Sequence, residues 1–577
     1  MILQSLVRYY EDLLAHGKLS APGWSGEKVS WALEIAQNGQ LLAVYDIQTD
    51  VPRGKKTVRV PQQLSVPERV KKTSGISSNF LCENSSYLLG IDATDQPARS
   101  LRRFEACKTL HLEILKNAPG DAAAAVRCFF ENWRPEQAVE SAVLAPYLGE
   151  ILKGGNLVFL LKGGCYAQDD PNIRTAWQQH RGQDTGEASI RCLVTGQQAP
   201  LARLHPVVKG VPGAQSSGVS LVSFNADAFC SYGHKQGANA PVSAYAAFAY
   251  TQALNYLLSS RDRLPSIGDT TVVCWSEGAE TAYQDAAMAM LFGTDTFSDE
   301  DLHAVLEKLT NGQSVDWDAV TLDPNTHFYV LGLAPNAARL SVRFFWKDTF
   351  GALLKNISAH YDRLKIVRPK SDKAFLLTPY WMMRETVSAT IDKPKIDPKL
   401  AGDVLFSVLN NAPYPSALLF KVMERIRATH DVTPNQAAII KAYYQAANIQ
   451  CPKEVFTVSL EKGHYTCIPY ALGSLFAVLE EIQEKSNPGI STTINERYFN
   501  AAVTTPTTVF PTLIRLTQKH LQKLPTPQRI YYNKKLCEIT QYIPEEFPAF
   551  LTLTEQGTFE IGYYHQMQSR FTKKEEA

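Results

Sequence analysis

Near residue 400 the chain changes its hydrophobic rhythm, and that change limits the fold more than any other feature. Beyond it the apolar residues recur at three and four. Leu472, Leu475, Phe476, Leu479 and Ile482 share one helical face, and Leu513, Leu516, His520 and Leu524 roughly repeat the pattern. The stretches SNPGIS (486–491) and TPTT (505–508) break the helices. Before residue 400 strands and helices mix. Residues 29–46 read as a hairpin around Asn38-Gly39, the strongest turn signal in the chain. Residues 101–117 and 120–133 read as helices, and 156–163, 219–224 and 271–276 as strands. Residues 240–260 read as a helix with Pro241 in its first turn, and 327–346 as two strands around a Pro-Asn turn. The expected fold is α+β: a large mixed N-terminal region over 1–400, itself divided near 150–210, then an all-helical C-terminal bundle over 401–577.

A chain of 577 residues that is 45% hydrophobic and 20% charged is long enough for several domains and reads as globular. Its net charge of +1 names no partner, so charge has to be read locally. Ten cysteines are scattered without a C-x-x-C pair, which argues against a zinc ribbon and suits reduced thiols in a cytoplasm. Arg8, Glu11 and Asp12 interrupt the apolar N-terminus, which reads as an amphipathic helix, not a signal peptide. No uncharged apolar run approaches the ~18 residues of a membrane span.

Enzyme signals mostly fail. AQSSG (214–218) is one residue from a nucleophile elbow around Ser216, but that elbow needs a strand before the serine and a helix after it. Here Pro212 and Gly213 precede it and an apparent strand follows. His430-Asp431 is a pair of the kind metal phosphohydrolases use, yet such a site needs further ligands; its ordinary reading is a cap for a helix starting near Pro434. Cys192 and His205 are separated by twelve residues, as in a zinc finger, but the second cysteine and second histidine of a finger are missing. Neither a Walker motif nor a dinucleotide fingerprint appears, so no cofactor is expected.

Binding signals are stronger. Residues 51–72 carry seven basic residues against one acid, Glu68. Lys55, Lys56, Lys71 and Lys72 are the candidates for phosphate contact. The run leads into a Gly-Ser-Asn segment in which Ser77, Ser78, Asn79 and Asn84 can face base edges or the adjacent backbone. A second set lies in 209–255, where Gln215, Ser216 and Asn225 accompany Tyr232, an aromatic able to stack on a base or sugar. A solvated charged face and a self-satisfied loop are the ordinary alternatives.

Several long segments resemble one family. SSNFLCENSSYLLG (77–90), GAQSSGVSLVSFNADAFCSYG (213–233), NAPVSAYAAFAYTQALN (239–255), LGLAPNAARLSVRFFW (331–346) and ERYFNAAVTTPTTVFPTLIRLTQKHL (496–521) are similar to the Csd-type large subunit of the type I-C CRISPR effector complex, Cascade. So is the opening LVRYYEDL…GWSGEKVSWALEI. The resemblance implies a non-catalytic protein without cofactor or metal. It would recognise the protospacer-adjacent motif (PAM) on duplex DNA, help open it, guide the displaced strand and support a separate helicase–nuclease. The implied partners are crRNA, the backbone, crRNA-end-binding and small subunits, target duplex and displaced strand. The resemblance also implies that the C-terminal helices are similar to the small subunit and can be made from an internal start, at Met423 or at a non-Met codon near residue 455. From 401 onward 17 basic residues face 16 acidic ones, so strand contact there needs a local stripe, with Arg497, Arg515, Lys519, Lys534 and Lys535 as candidates. The competing expectations are a serine hydrolase at Ser216, a metal phosphohydrolase at His430-Asp431, or a purely structural scaffold for the crRNA end.

Overall fold

A computed structural model describes residues 1–53, 56–69, 76–93, 97–183, 189–259, 265–293, 304–305, 307–308, 313, 315–317, 320–369, 376–391, 395–461, 465 and 467–571. They form two compact units, one of residues 1–206 and 222–253, the other of 207–221 and 254–577.

The first unit opens with helix α1 (Ile2–Ala15). Its sheet is built on β1 (Trp24–Ile35), which hairpins back through Asn38-Gly39 into β2 (Leu41–Asp46). Gly39 has φ +79°, and a Cβ there would run into the backbone of Cys128 and Phe129, so both the turn and the packing require glycine. A separate ribbon of β3 (Thr49–Arg53) and β4 (Lys56–Val60) follows. Then β5 (Gln62–Pro67) returns antiparallel to the first half of β1. Short β6 (Cys82–Glu83) leads into α2 (Ser85–Leu88), α3 (Pro97–Leu115), α4 (Asp121–Asn132) and α5 (Leu148–Ile151). β7 (Asn156–Leu161) pairs parallel to β1, with β6 and β8 (Cys165–Tyr166) antiparallel to it. Flanked on both sides, β1 is buried continuously from Val29 to Leu33, as a near-unbroken apolar run requires. Phe104, Cys107, Phe129 and Phe130 from α3 and α4, and Trp177 from α6 (Pro171–Gln183), cover one sheet face. A small hairpin, β9 (Ser189–Arg191) with β10 (Gln198–Pro200), precedes a long loop and α7 (Ala244–Ser259), whose start lies beyond Pro241. The chain passes between the two units at 206–207, 221–222 and 253–254.

The second unit holds a four-stranded antiparallel sheet among its described residues: β11 (Ser266–Ile267), β12 (Thr270–Ser276), β15 (His327–Asn336) and β16 (Arg339–Thr349). Between them come α8 (Thr281–Phe292) and the hairpin β13 (Val315–Trp317) with β14 (Val320–Leu322). Residues 219–224 are not a strand: Val219 and Ser220 make isolated bridges to Val208 and Arg339. Among the described residues that follow, the regular elements are helices: α9 (Phe350–Leu364), α10 (Pro379–Arg384), α11 (Pro398–Leu409), α12 (Ser416–Thr429), α13 (Pro434–Ala446), α14 (Ile468–Ser486), α15 (Ile494–Thr504), α16 (Pro506–Lys523), α17 (Thr526–Thr540) and α18 (Leu553–Gln568). The mixed-then-helical reading holds, but residue 400 is no seam between compact units. One apolar core runs from Ile267 through the sheet and helices to Tyr564.

α14 is the axis of the bundle, buried at every position from Pro469 to Ile482. α18 lies against it at backbone distance: a Cβ on Gly473 would fall on the Phe559 carbonyl, and one on Gly562 on the Tyr470 carbonyl. Ser474 Oγ closes the seam by donating to the Gly562 carbonyl at 3.2 Å.

Candidate nucleic-acid interface

Lys55, Lys71 and Lys72 lie outside the described residues. Lys56 opens β4, where the backbone pairs it with Arg53 across the ribbon. Arg59 on the same strand is held at the ribbon's base by Asp46 at 2.6 Å.

The Ser-Asn segment beyond is organised inward. The Glu83 side chain is fully buried and accepts from Asn79 Nδ2 at 2.8 Å, Asn79 N–H at 3.1 Å and Asn84 N–H at 3.3 Å. Arg69 stands 3.8 Å from the same carboxylate and 3.5 Å from Glu27. Leu81 holds a left-handed φ of +61°, and its N–H donates to His111 Nε2 at 2.8 Å. His111 Nδ1–H in turn faces the Cys107 carbonyl at 2.7 Å. Burial lowers the His111 pKa to about 4, so the ring stays neutral and keeps Nε2 as an acceptor. Asn84 caps α2: its Oδ1 accepts from Ser86 N–H at 3.1 Å and Ser86 Oγ at 2.7 Å.

This corrects the expectation for three residues. Asn79 is 1% exposed and Ser78 7%, so neither stands on an open turn. The Asn84 amide oxygen is engaged by a helix terminus. Ser77 is half-buried and Ile76 exposed.

The loop before α7 behaves in the opposite way. Tyr232 is 98% exposed and sits at φ +53°, a left-handed value that costs an L-residue about 1–2 kcal/mol. The loop is tied from below. Asn239 Oδ1 accepts from Ser231 N–H at 2.8 Å, and its Nδ2 donates to the carbonyls of Gln236 at 3.0 Å and His234 at 3.3 Å. Gln236, also left-handed at φ +47°, accepts from Arg203 Nη1 at 2.7 Å. His234 and Lys235 are exposed beside the ring. Asn225 lies on the same loop and is exposed. The sequence pointed to Asn239 beside Tyr232 as a polar loop residue; the fold shows its amide satisfying the loop's own backbone.

Gln215 and Ser216 belong to the second unit and are exposed on a turn closed by Gly218 N–H to the Gln215 carbonyl at 3.0 Å. No helix follows Ser216, so the strand-turn-helix of a nucleophile elbow is not formed. The expected cap role of His430-Asp431 is also corrected. His430 ends α12 in a left-handed cap at φ +56°, and Thr433 caps α13 with Gln436 in a capping box. Cys192 Sγ accepts from Ser243 N–H at 3.2 Å while His205 meets the Tyr250 hydroxyl at 2.7 Å, each with its own partner. Among the described residues no three His, Cys, Asp or Glu converge as metal ligands.

On the bundle, Arg497 (α15), Arg515 and Lys519 (α16) and Lys534 (α17) are exposed. Arg515 and Lys519 are one turn apart on a single face with Gln518 and Gln522. Lys535 is corrected: its side chain is only 15% exposed and pairs with the Glu481 carboxylate at 3.6 Å, which also holds Arg570 at 3.4 Å. α17 buries only Tyr532 and Ile539 and leaves Arg529, Ile530 and Tyr531 open to solvent beside Lys534. Sequence reading passed over Tyr531, and the signal was there: aromatic and basic residues interleave in RIYYNKK.

No described helix is long and apolar enough to cross a membrane. No curated protein matches the chain. Residues 6–571 match the CRISPR-associated protein family Cas_Csd1, which is nearly the whole length and takes in both compact units. The chain therefore belongs to the Csd1 family of CRISPR-associated proteins and is a Csd-type Cascade subunit.

Proposed function

We propose that this chain is the non-catalytic large subunit of a crRNA-guided surveillance complex. In this reading it contacts PAM-side duplex, assists strand separation and R-loop formation, guides the displaced strand and supports a separate helicase–nuclease. Its partners are crRNA, the backbone, crRNA-end-binding and small subunits, and the target DNA. Guide pairing reads the long sequence, and protein reads a short duplex mark and backbone shape, a division of labour that RNA-guided DNA recognition uses in general.

The observation that carries the reading is Tyr232. A fully solvated aromatic ring, held at a strained backbone angle by a purpose-tied loop and flanked by His234 and Lys235, has no role in the protein's own packing. Strained conformations persist where the surroundings over-determine them, and function is the usual reason. Stacking on an unpaired base suits it. Lys55, Lys56, Lys71 and Lys72 remain the phosphate contacts of this proposal, with Ser77, Gln215, Ser216 and Asn225 as polar neighbours of the backbone. Arg497, Arg515, Lys519 and Lys534, with Tyr531, are assigned to the displaced strand. The bundle from α14 to α18 is assigned as the part similar to a small subunit.

The test is DNA binding by the complex reconstituted with crRNA and sister subunits, measured against salt. Each phosphate contact contributes about 0.9 to the slope of log K on log salt for duplex DNA. Replacing Lys71 and Lys72 with Ala is expected to lower both affinity and slope, evenly across sequences. A complex whose footprint omits the PAM-side duplex, and whose affinity ignores these changes, would favour the scaffold for the crRNA end instead.

A further inference from the structure

α17 is placed on the bundle by polar bonds as much as by packing. Of its fifteen residues only Tyr532 and Ile539 are buried, and Leu536 is partly so. A helix usually owes its place to a buried apolar face, and this one has little of it. Glu481, buried on α14, supplies the rest. Its Oε1 accepts from the Tyr532 hydroxyl at 3.0 Å, and its Oε2 faces Lys535 Nζ at 3.6 Å and Arg570 Nε at 3.4 Å. Tyr532 and Lys535 are three residues apart, so they share one face of the helix. Arg570 is itself pinned by Glu484 at 3.0 Å and by donating to the Ala477 carbonyl.

This grip settles where Tyr531 stands. The Tyr531 ring meets Tyr532 edge to face, with centroids 5.1 Å apart and planes at 73°. The Lys535 ammonium stands 5.8 Å from its centroid, within cation–π range. Both of these neighbours are residues that Glu481 holds. Tyr531 is nonetheless 54% exposed, with Arg529, Ile530 and Lys534 open beside it. Stability alone gives little reason for the carboxylate. Burying an ion pair carries a desolvation penalty that often cancels its attraction, and apolar residues of similar volume serve as well. An apolar residue could not fix where the ammonium behind the ring sits.

We infer that Glu481 is a positioning residue for single-strand binding: by gripping Tyr532 and Lys535 it sets the Tyr531 ring for stacking by an unpaired base, with Arg529 and Lys534 beside it for the adjoining phosphates. The inference rests on the assignment of this face to the displaced strand and deepens it. Glu481 itself touches no nucleic acid. A ring already oriented loses less freedom on binding, so the grip raises affinity without adding a contact.

The experiment uses the complex reconstituted with crRNA and sister subunits and already paired with the target strand. It reads the affinity for oligothymidine, a stand-in for the displaced strand. Tyr531→Ala is expected to bind about tenfold more weakly, the loss of one stacked base. Glu481→Gln keeps an acceptor for the Tyr532 hydroxyl and removes the charge between Lys535 and Arg570. Charge alone would make this variant bind an anionic strand more tightly. The grip predicts the opposite sign, a loss of about fivefold, the low end for one stacked base. In a Tyr531→Ala background the Glu481 change should lower affinity no further while its shift in melting temperature persists, because only the binding effect runs through the ring. Lys535→Met keeps the aliphatic stem and spares the pair of Glu481 with Arg570; it decides by the same comparison if the Glu481 variant is too unstable to assemble. If Tyr531→Ala weakens binding while Glu481→Gln binds as tightly as the parent or more tightly, or if the two losses add, the positioning role is refuted and the displaced-strand reading stands. If Tyr531→Ala binds like the parent, this face lies off the strand path and both fail.

Discussion

Replacing Tyr232 separates folding from function, because the two effects have opposite signs. The ring is 98% exposed, so its removal uncovers no core. Tyr232→Ala keeps the left-handed strain and should change stability by no more than about 0.5 kcal/mol. Tyr232→Gly removes a strain of about 1–2 kcal/mol and adds about 0.5–1 kcal/mol of unfolded-state entropy, for a net gain near 0.5–1 kcal/mol. Binding should move the other way. A base stacked on an aromatic is worth about 1–3 kcal/mol, a loss of roughly 5- to 150-fold in affinity once the ring is gone. Tyr232→Phe, which keeps the π-face, should bind nearly as the parent does. Thermal melts of the chain give the first quantity, and binding of an unwound target by the reconstituted complex gives the second. If Ala and Gly variants bind like the parent, Tyr232 does not contact nucleic acid and the strain has another cause. If the Gly variant is less stable, the loop is held by contacts beyond the Asn239 tie.

Gly473→Ala should destabilise the second unit by about 3 kcal/mol or more despite a gain of roughly 1 kcal/mol in helix propensity, because the added Cβ meets the Phe559 carbonyl; a thermal melt at or above the parent's would show that the α14–α18 seam is looser than drawn. Glu560, fully buried with burial pushing its pKa up to about 8 despite the nearby Arg427, holds a proton in the folded state that the unfolded chain releases near 4.5. Its share of stability is full below pH 4.5 and is lost as pH rises through 8, so Glu560→Gln should gain over the parent between pH 5 and 8 in denaturant melts; an advantage that shrinks with rising pH would reverse the sign. Arg515→Ala with Lys519→Ala should leave the melting temperature unchanged and weaken binding to the displaced strand, read from its nuclease protection in the R-loop; full protection would remove this face from the strand path.

Much of the architecture was legible because it rests on local chemistry. Asn38-Gly39 demands a hairpin, and the apolar period of 472–482 demands a helix; both stand as read, though the period gave that helix one apolar face and the fold buries it on every side. Residues 219–224 misled because alternating apolar residues also suit a chain that only bridges a sheet edge; nothing local says whether a partner lies alongside. The Asn side chains misled for a different reason. An Asn donates and accepts equally well toward a base or toward the protein's own backbone, and Glu-Asn-Ser before a short helix is a capping pattern as much as a recognition pattern. Lys535 looked free because its partner, Glu481, is 54 residues earlier in the chain. In each case the missing information was non-local: which atom across the fold satisfies a polar group.

The same non-local bonds bear on where the C-terminal bundle could be divided from the rest. A piece beginning at Met423 would start inside α12 with a side chain that belongs to the core, and would lose the first half of that helix. A piece beginning near residue 455 keeps α14 to α18 whole. It retains the glycine seam between α14 and α18, and the latch in which Glu481 holds Lys535, Arg570 and the Tyr532 hydroxyl. What it gives up includes contacts of α18 with earlier elements (Tyr444 to the Thr554 carbonyl, Arg427 to Gln556, and Tyr564 to the Val367 carbonyl) and those of Asn500 on α15 with the Arg427 carbonyl and His430. The face so uncovered carries Glu560, whose carboxyl would ionise once hydrated. Of the two starts, the later one leaves every helix from α14 to α18 whole, while the one at Met423 cuts α12 but keeps the bonds of Tyr444 and Arg427 to α18.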